Sequence, residues 1–217
     1  MTFLRATRNS CFSQLAGLYL ILDQRWDPPG SLSDVMRKAG EVGVKLVQYR
    51  NKLGSMQQAY EVAKELREIA DEFGIVFVVN DRCDLAMAVG ADGVHLGQAD
   101  LPLPLARNLV GQEMLIGVST HTPHQVQQAT EGGADYLGFG PIFPTGTKSD
   151  HDPVVGIHGM KHIRNLTTLP IFAIGGIRPD SVNELRHAGA NGVAVASGVL
   201  DAEDRSKAII DYLSHLG

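Results

Sequence analysis

The sequence predicts an α/β fold, a single-domain (β/α)8 barrel, on three observations: eight short apolar runs, helix-like stretches between them, and four similar helix-to-strand joins. The runs are LAGLYLILD, VKLVQYR, IVFVVND, GVHLG, LIGVST, YLGFGPI, IFAIGG and GVAVAS. Continuous apolar runs suit strands buried on both faces, as in a parallel sheet. The joins AGEVGVKLVQYR, AVGADGVHLG, EGGADYLGFG and HAGANGVAVAS each leave a helix through a glycine-containing turn and enter a strand at once. They mark an internal αβ repeat with a period of roughly 25 residues. Eight such units close into a TIM-type barrel, a fold that begins at about 200 residues. An open doubly wound sheet is the alternative, but it has about five or six strands and carries GxGxxG after the first, a motif this chain lacks there.

Taken in order, residues 1–14 hold Arg5 and Arg8 without the continuous apolar core of a secretory signal, and read as a lead-in to a barrel over 15–217. Ser31 stands where the cap of the first long helix belongs. Good helix formers over 55–72 predict a helix with Val62, Leu66 and Ile69 on one face. A short helix is expected from Arg82 to Val89, and Thr122 and Asp180 occupy N-cap positions of later helices. The run through Tyr136 to Ile142 passes into GFGPIFPTGTKSD, where Pro141 and Pro144 stiffen a loop that presents Thr145, Thr147 and Lys148 around Gly146. Two hydroxyls and an ammonium there can hold phosphate oxygens.

Composition narrows the function. Hydrophobic residues make up 44%, charged residues 20%, and the net charge is −5, an ordinary globular balance without the basic excess of a nucleic-acid binder. No apolar run reaches the length of a membrane helix. Cys11 and Cys83 form no disulfide or metal pattern, so a reducing cytoplasm is expected. A homo-oligomer is compatible with the sequence, which carries no argument for it.

In a barrel of this kind the active site collects at the C-terminal ends of the strands. Alternation along strand 2 sends Gln48, Arg50 and Lys52 to one side and Val47, Tyr49 and Asn51 to the other. Arg50 and Lys52 then offer two positive charges suited to a diphosphate. Strand 3 ends in Asn80 and Asp81, and strand 4 exits at Gln98 and Asp100. Two carboxylates at adjacent exits match Mg²⁺ shared with substrate phosphates; helix capping by either Asp is the competing role. His95, inside strand 4, is expected to be a hydrogen-bonded structural histidine, while His121 stands after Ser119 at the exit of strand 5. Gly175, Gly176, Ser197 and Gly198 follow strands 7 and 8, the usual phosphate position of the fold. The mouth therefore holds two anion sites, one for a diphosphate with metal and one for a monophosphate.

These elements resemble the thiamine phosphate synthase family. VQYRNK is similar to its Q-x-R-x-K element and NDRCDLA to its N-D element; GADGVHLGQAD, GVSTHT, GFGPIFPTGTK, AIGGI and the Ser197 turn follow in family order from Leu18 to Val199. The resemblance implies transfer of a hydroxymethylpyrimidine group from its diphosphate to a hydroxyethylthiazole phosphate, or its carboxylated form, with release of pyrophosphate. It further implies that Gln48, Arg50, Lys52, Asn80, Ser119 and Lys148 bind the pyrimidine diphosphate, with Arg50, Lys52, Lys148 and Ser119 catalytic. Asp81 and Asp100 would hold Mg²⁺, and Thr145, Gly146, Thr147, Gly176, Ala196 and Ser197 the thiazole phosphate. The chain departs from the family pattern at Asn51, where an acidic residue is frequent, and at LILDQRWDPPG on the first strand. An isomerase of the same family, a thiazole tautomerase, would need the thiazole phosphate site and His121 but not the diphosphate set. A non-catalytic thiamine-phosphate sensor could keep both anion sites while lacking turnover, but would have less use for the carboxylates of a leaving-group clamp.

Overall fold

The structure, a computed structural model, describes residues 11, 14–26, 31–146 and 153–216. All eight expected strands form: β1 Gly17–Asp23, β2 Leu46–Arg50, β3 Val76–Asn80, β4 Gly93–Leu96, β5 Leu115–Thr120, β6 Tyr136–Phe139, β7 Ile171–Ile174 and β8 Gly192–Val195. Each pairs in parallel with its neighbours in sequence, and β8 returns to β1, so the barrel is closed. Closure leaves no unpaired sheet edge. Among the described residues, the helices of the outer ring are α1 Ser31–Glu41, α2 Met56–Phe73, α3 Cys83–Val89, α4 Leu103–Val110, α5 Pro123–Glu131, α6 Gly156–Arg164, α7 Val182–His187, α8 Ser197–Leu200 and α9 Arg205–Ser214.

Strand alternation divides the apolar residues into two cores. Leu18, Leu20, Leu22, Val47, Phe77, Val79 and their counterparts face outward and pack under the helices. Tyr19, Ile21, Leu46, Val76, Val78, Leu115, Tyr136, Phe172 and Ala194 fill the barrel itself. Cys11 and Leu15 join that interior cluster, so the described part of the N-terminal segment contributes to the filling; residues 1–10, 12 and 13 lie outside the described residues. Three large rings, Tyr19, Tyr136 and Phe172, meet edge to face inside. Gly117 makes room for them, since a Cβ there would stand 2.1 Å from Cζ of Tyr136.

Local chemistry sets the helix ends. α2 begins with a reciprocal box in which the Ser55 hydroxyl accepts from Gln58 N and the Gln58 side chain accepts from Ser55 N, and it ends on left-handed Gly74. The expected inner face is observed, with Leu66 and Ile69 buried and Val62 packed against the core. Thr122 caps α5 through the same box with Gln125. Asp180 does not cap its helix: it lies inside a 3₁₀ turn, Pro179–Ser181, whose N-cap is Arg178. The turn starts two residues earlier because Pro179 is preset for a first helical position. The side chain of Ser31 lies outside the described residues.

Three of the four repeated joins share a structural cause. Asp92, at the foot of β4, accepts from Phe77 N at 2.8 Å and pairs with Arg67 at 2.6 Å. Asp135, at the foot of β6, accepts from Ile116 N at 2.7 Å and pairs with Arg107 at 2.6 Å. Asn191, at the foot of β8, accepts from Ile171 N at 3.0 Å and from Arg164 Nη1 at 3.2 Å. Each side chain thus pins the start of the preceding strand and collects an arginine from the outer ring.

Candidate active site

At the opposite end of the barrel the strands open into a cavity of about 530 Å³. The alternation of β2 places its polar residues at successive heights. Gln48 is lowest: it is 3% exposed and its Nε2 donates to Tyr19 Oη at 2.7 Å. Arg50 and Lys52 lie above it on the cavity wall. Arg50 Nη1 reaches Oδ2 of Asp23 at 2.5 Å, directly across the β1–β2 register. Lys52 Nζ forms an ion pair with Asp81.

Asp81 and Asp100 are brought together although they come from different strand exits, and their carboxyl groups share a hydrogen bond. Burial raises the pKa of Asp81, and the neighbouring Asp100 raises it further against the pull of Lys52. Burial also works against the charge of Asp100, but the bond with Asp81, the Gly97 N–H at 2.7 Å and Lys52 outweigh it and hold that pKa low. Neither carboxylate caps a helix, because the N-caps of α3 and α4 are Arg82 and Pro102. Asp81 instead takes a left-handed backbone with φ 63°, the one such non-glycine among the described residues. That conformation turns its side chain toward Lys52 and Asp100.

Ser119 lines the cavity at the end of β5, and its Oγ lies 3.0 Å from His95 Nε2. His95 is buried, as expected, with Nδ1 3.2 Å from Tyr136 Oη; that hydroxyl is 2.7 Å from Tyr19 Oη. A continuous interior chain therefore runs Gln48, Tyr19, Tyr136, His95, Ser119. Burial keeps both tyrosines protonated, with pKa values pushed well above the ordinary phenol. His121 also faces the cavity, its Nδ1 2.6 Å from Gly140 O.

The far side is made of backbone. Residues of the loop after β6 run beside the end of β7, with Ile142 N bonding Ile174 O at 2.8 Å and Phe143 N bonding Gly175 O at 3.0 Å. This carries Thr145 to the cavity, opposite Gly175, Gly176, Ala196, Ser197 and Gly198. Gly176 combines φ 64° with a close approach: a Cβ would stand 2.6 Å from Pro144 O.

The structure thus gathers Arg50, Lys52, Asn80, Asp81, Asp100, Ser119, Thr145, Gly176, Ala196 and Ser197 around one cavity. Gln48 lies beneath its floor rather than on the lining, and Gly146 is exposed beyond Thr145. Thr147 and Lys148 lie outside the described residues. Sequence reasoning missed Asp23, which is fully buried yet lines the mouth, and Arg25, which holds it. The signal was present: Tyr19, Ile21 and Asp23 alternate along β1 as Gln48 and Arg50 do along β2.

A closed barrel whose C-terminal mouth combines a carboxylate pair, basic side chains and a glycine-lined wall defines a phosphate-handling (β/α)8 enzyme. Residues 18–199 match the family model described as thiamine monophosphate synthase. A thiamine-phosphate synthase of Clostridium botulinum strain Loch Maree is 42% identical over 188 residues, 87% of this chain and 92% of that one. One from Methanospirillum hungatei JF-1 is 42% identical over 202 residues, 92% of this chain and 98% of that one. The structure of thiamine phosphate pyrophosphorylase from Pyrococcus furiosus superposes with a TM-score of 0.85 at 36% identity, covering 94% of this chain and 96% of that one. The chain belongs to the thiamine monophosphate synthase family, and its activity is that of a transferase in thiamine biosynthesis.

Proposed function

We propose that the protein transfers the hydroxymethylpyrimidine group from its diphosphate to hydroxyethylthiazole phosphate, or the carboxylated form, giving thiamine phosphate and pyrophosphate. The observation that carries this reading is a single cavity with the Asp81–Asp100 pair, Arg50 and Lys52 at one end and Gly175, Gly176, Ser197 and Gly198 at the other. It has chemistry for two phosphorylated substrates side by side.

Asp81 and Asp100 fit Mg²⁺. Asp81 and Asp100 would hold the ion, because two neighbouring carboxylates on one cavity wall offer the oxygen ligands that a hard cation shared with substrate phosphates takes. Bound there, the ion would neutralise charge on the diphosphate. Arg50 and Lys52 hold the diphosphate oxygens, Lys148 adds a third cation, and Asn80, Ser119 and Gln48 orient the pyrimidine from wall and floor. Thr145, Gly146, Thr147, Gly176, Ala196 and Ser197 fix the thiazole phosphate. The bond from the pyrimidine methylene carbon to the diphosphate oxygen breaks, with its electron pair leaving on pyrophosphate. The electron-rich aminopyrimidine carries the resulting positive charge, and the thiazole nitrogen supplies the pair for the new C–N bond. The fixed cations stabilise the charge that develops on the leaving group. No protein nucleophile enters the step.

The isomerase reading would rest on His121 and would leave the carboxylate–cation end without a task. A cytoplasmic setting is part of the proposal, supported by two buried cysteines with no disulfide between them; no helix among the described residues is long and apolar enough to cross a membrane. The test supplies Mg²⁺ and both substrates and follows pyrophosphate and thiamine phosphate together. Equal release of the two is expected, slowed on the order of 10²-fold or more in Asp100→Ala. Thiamine phosphate formed at the same rate in the variant, or without added metal after chelation, would remove the metal role.

A further inference from the structure

Asp23 has no place in the roles above, yet it is a carboxylate with 0% exposure at the rim of a substrate cavity. Arg25 grips it through backbone N at 3.0 Å, Nε at 3.2 Å and Nη2 at 3.1 Å. From the other side comes Arg50 Nη1 at 2.5 Å. Burial disfavours its charge, but the two arginines outweigh burial and hold the carboxyl below its ordinary range.

A carboxylate that served only to tie β1 to β2 would need one partner. Asp23 has two, and the count matters. Paired with Arg50 alone it would cancel the charge that the mouth requires; with Arg25 added, the three groups sum to +1. A free arginine also loses rotamer freedom when it clamps a ligand. Held on Asp23, with its side chain 16% exposed, Arg50 is ordered before any ligand arrives. We propose that Asp23 is a positioning residue that fixes the Arg50 guanidinium for the departing diphosphate, with Arg25 as the second arm that keeps Asp23 in place and the cluster positive. Asp23 touches no substrate and acts through Arg50. The inference rests on the diphosphate reading of that end of the cavity.

Positioning and mere anchoring predict different kinetics. Asp23→Asn keeps the side-chain shape and loosens Arg50, so kcat falls about 10²-fold while KM for the pyrimidine diphosphate stays within about threefold. In an Arg50→Lys background, Asp23→Asn adds nothing further to the loss in kcat. A lower thermal midpoint with unchanged kcat, or full additivity of the two substitutions, overturns the proposal. Should Asp23→Asn not fold, the wild type decides by ¹⁵N NMR. The Arg50 guanidinium, assigned by loss of its signal in Arg50→Lys, is expected to show hindered Nη rotation without ligand. Free rotation overturns the proposal. A wild type that releases no pyrophosphate would instead sink the functional reading, while the NMR result would stand independently.

Discussion

Gly176 and Asp23 mark the limits of what single residues disclosed. The double glycine after β7 was legible as part of the mouth because its need is local: a left-handed backbone pressed against Pro144. Gly176→Ala would add strain of about 1–2 kcal/mol and push the Thr145 loop away. The alanine backbone relaxes in the free protein and has to be returned to the left-handed form on binding, so the affinity for thiazole phosphate is expected to fall about 5- to 30-fold, while pyrophosphate with Mg²⁺ binds as before; calorimetry with each ligand checks both. Asp23 was not legible because its meaning depends on Arg25 and Arg50 closing on it from either side. Its charge has a pH signature. The folded pKa lies below the unfolded value of about 3.9, so the carboxylate contributes stability above that pH and loses the contribution as pH falls through the folded value. The stability gap between wild type and Asp23→Asn, from urea midpoints, should be full at about pH 6 and shrink below about pH 4. A gap that widens on acidification would contradict the ion-pair account.

At the scale of elements the sequence was most readable. Each strand announced itself as an apolar run because both faces are covered, one by helices and one by the barrel filling. The four similar joins were read as turns; the long-range partners that three of them hold were not visible. Asp92, Asp135 and Asn191 each bond a backbone N–H of the preceding strand and an arginine far away in sequence, which only the closed sheet brings near. Asp180 failed as a cap for the related reason that Pro179 moved the start of the turn. These feet of the strands are remote from the mouth, so they bear on stability rather than turnover. Asp135→Ala leaves Arg107 without its buried carboxylate and is expected to cost about 3–5 kcal/mol. Asn191→Ala removes a bond from the Ile171 backbone N–H and one from the Arg164 guanidinium and should cost about 1–3 kcal/mol. Urea unfolding measures both, with kcat of the folded fraction unchanged. A large loss of kcat in either variant would mean that the foot and the mouth communicate.

The whole molecule divides this labour between its two ends: the foot satisfies its charges, and the mouth leaves them crowded. Asp81 is the clearest instance. It adopts φ 63°, a conformation that aspartate tolerates less readily than glycine, and it faces a second carboxylate in a partly buried site. Such arrangements lower stability where function requires them. Asp81→Asn keeps the shape, suits the left-handed backbone, and replaces one of two like charges by an amide that can donate to Asp100. Against these gains stands the Lys52 ion pair, half exposed at 50% and worth about 0–1 kcal/mol. In metal-free buffer the variant is therefore expected to be more stable than wild type by about 1 kcal/mol. Its turnover should fall with the loss of the proposed metal ligand. Mg²⁺ with pyrophosphate should raise the thermal midpoint of wild type by mass action, and raise that of the variant little. Thermal melts of both proteins, with and without Mg²⁺ and pyrophosphate, test the division directly. If the metal-free variant melts below wild type, the carboxylate pair is not a source of strain. If both gain equally from the ligands, Asp81 does not hold the ion.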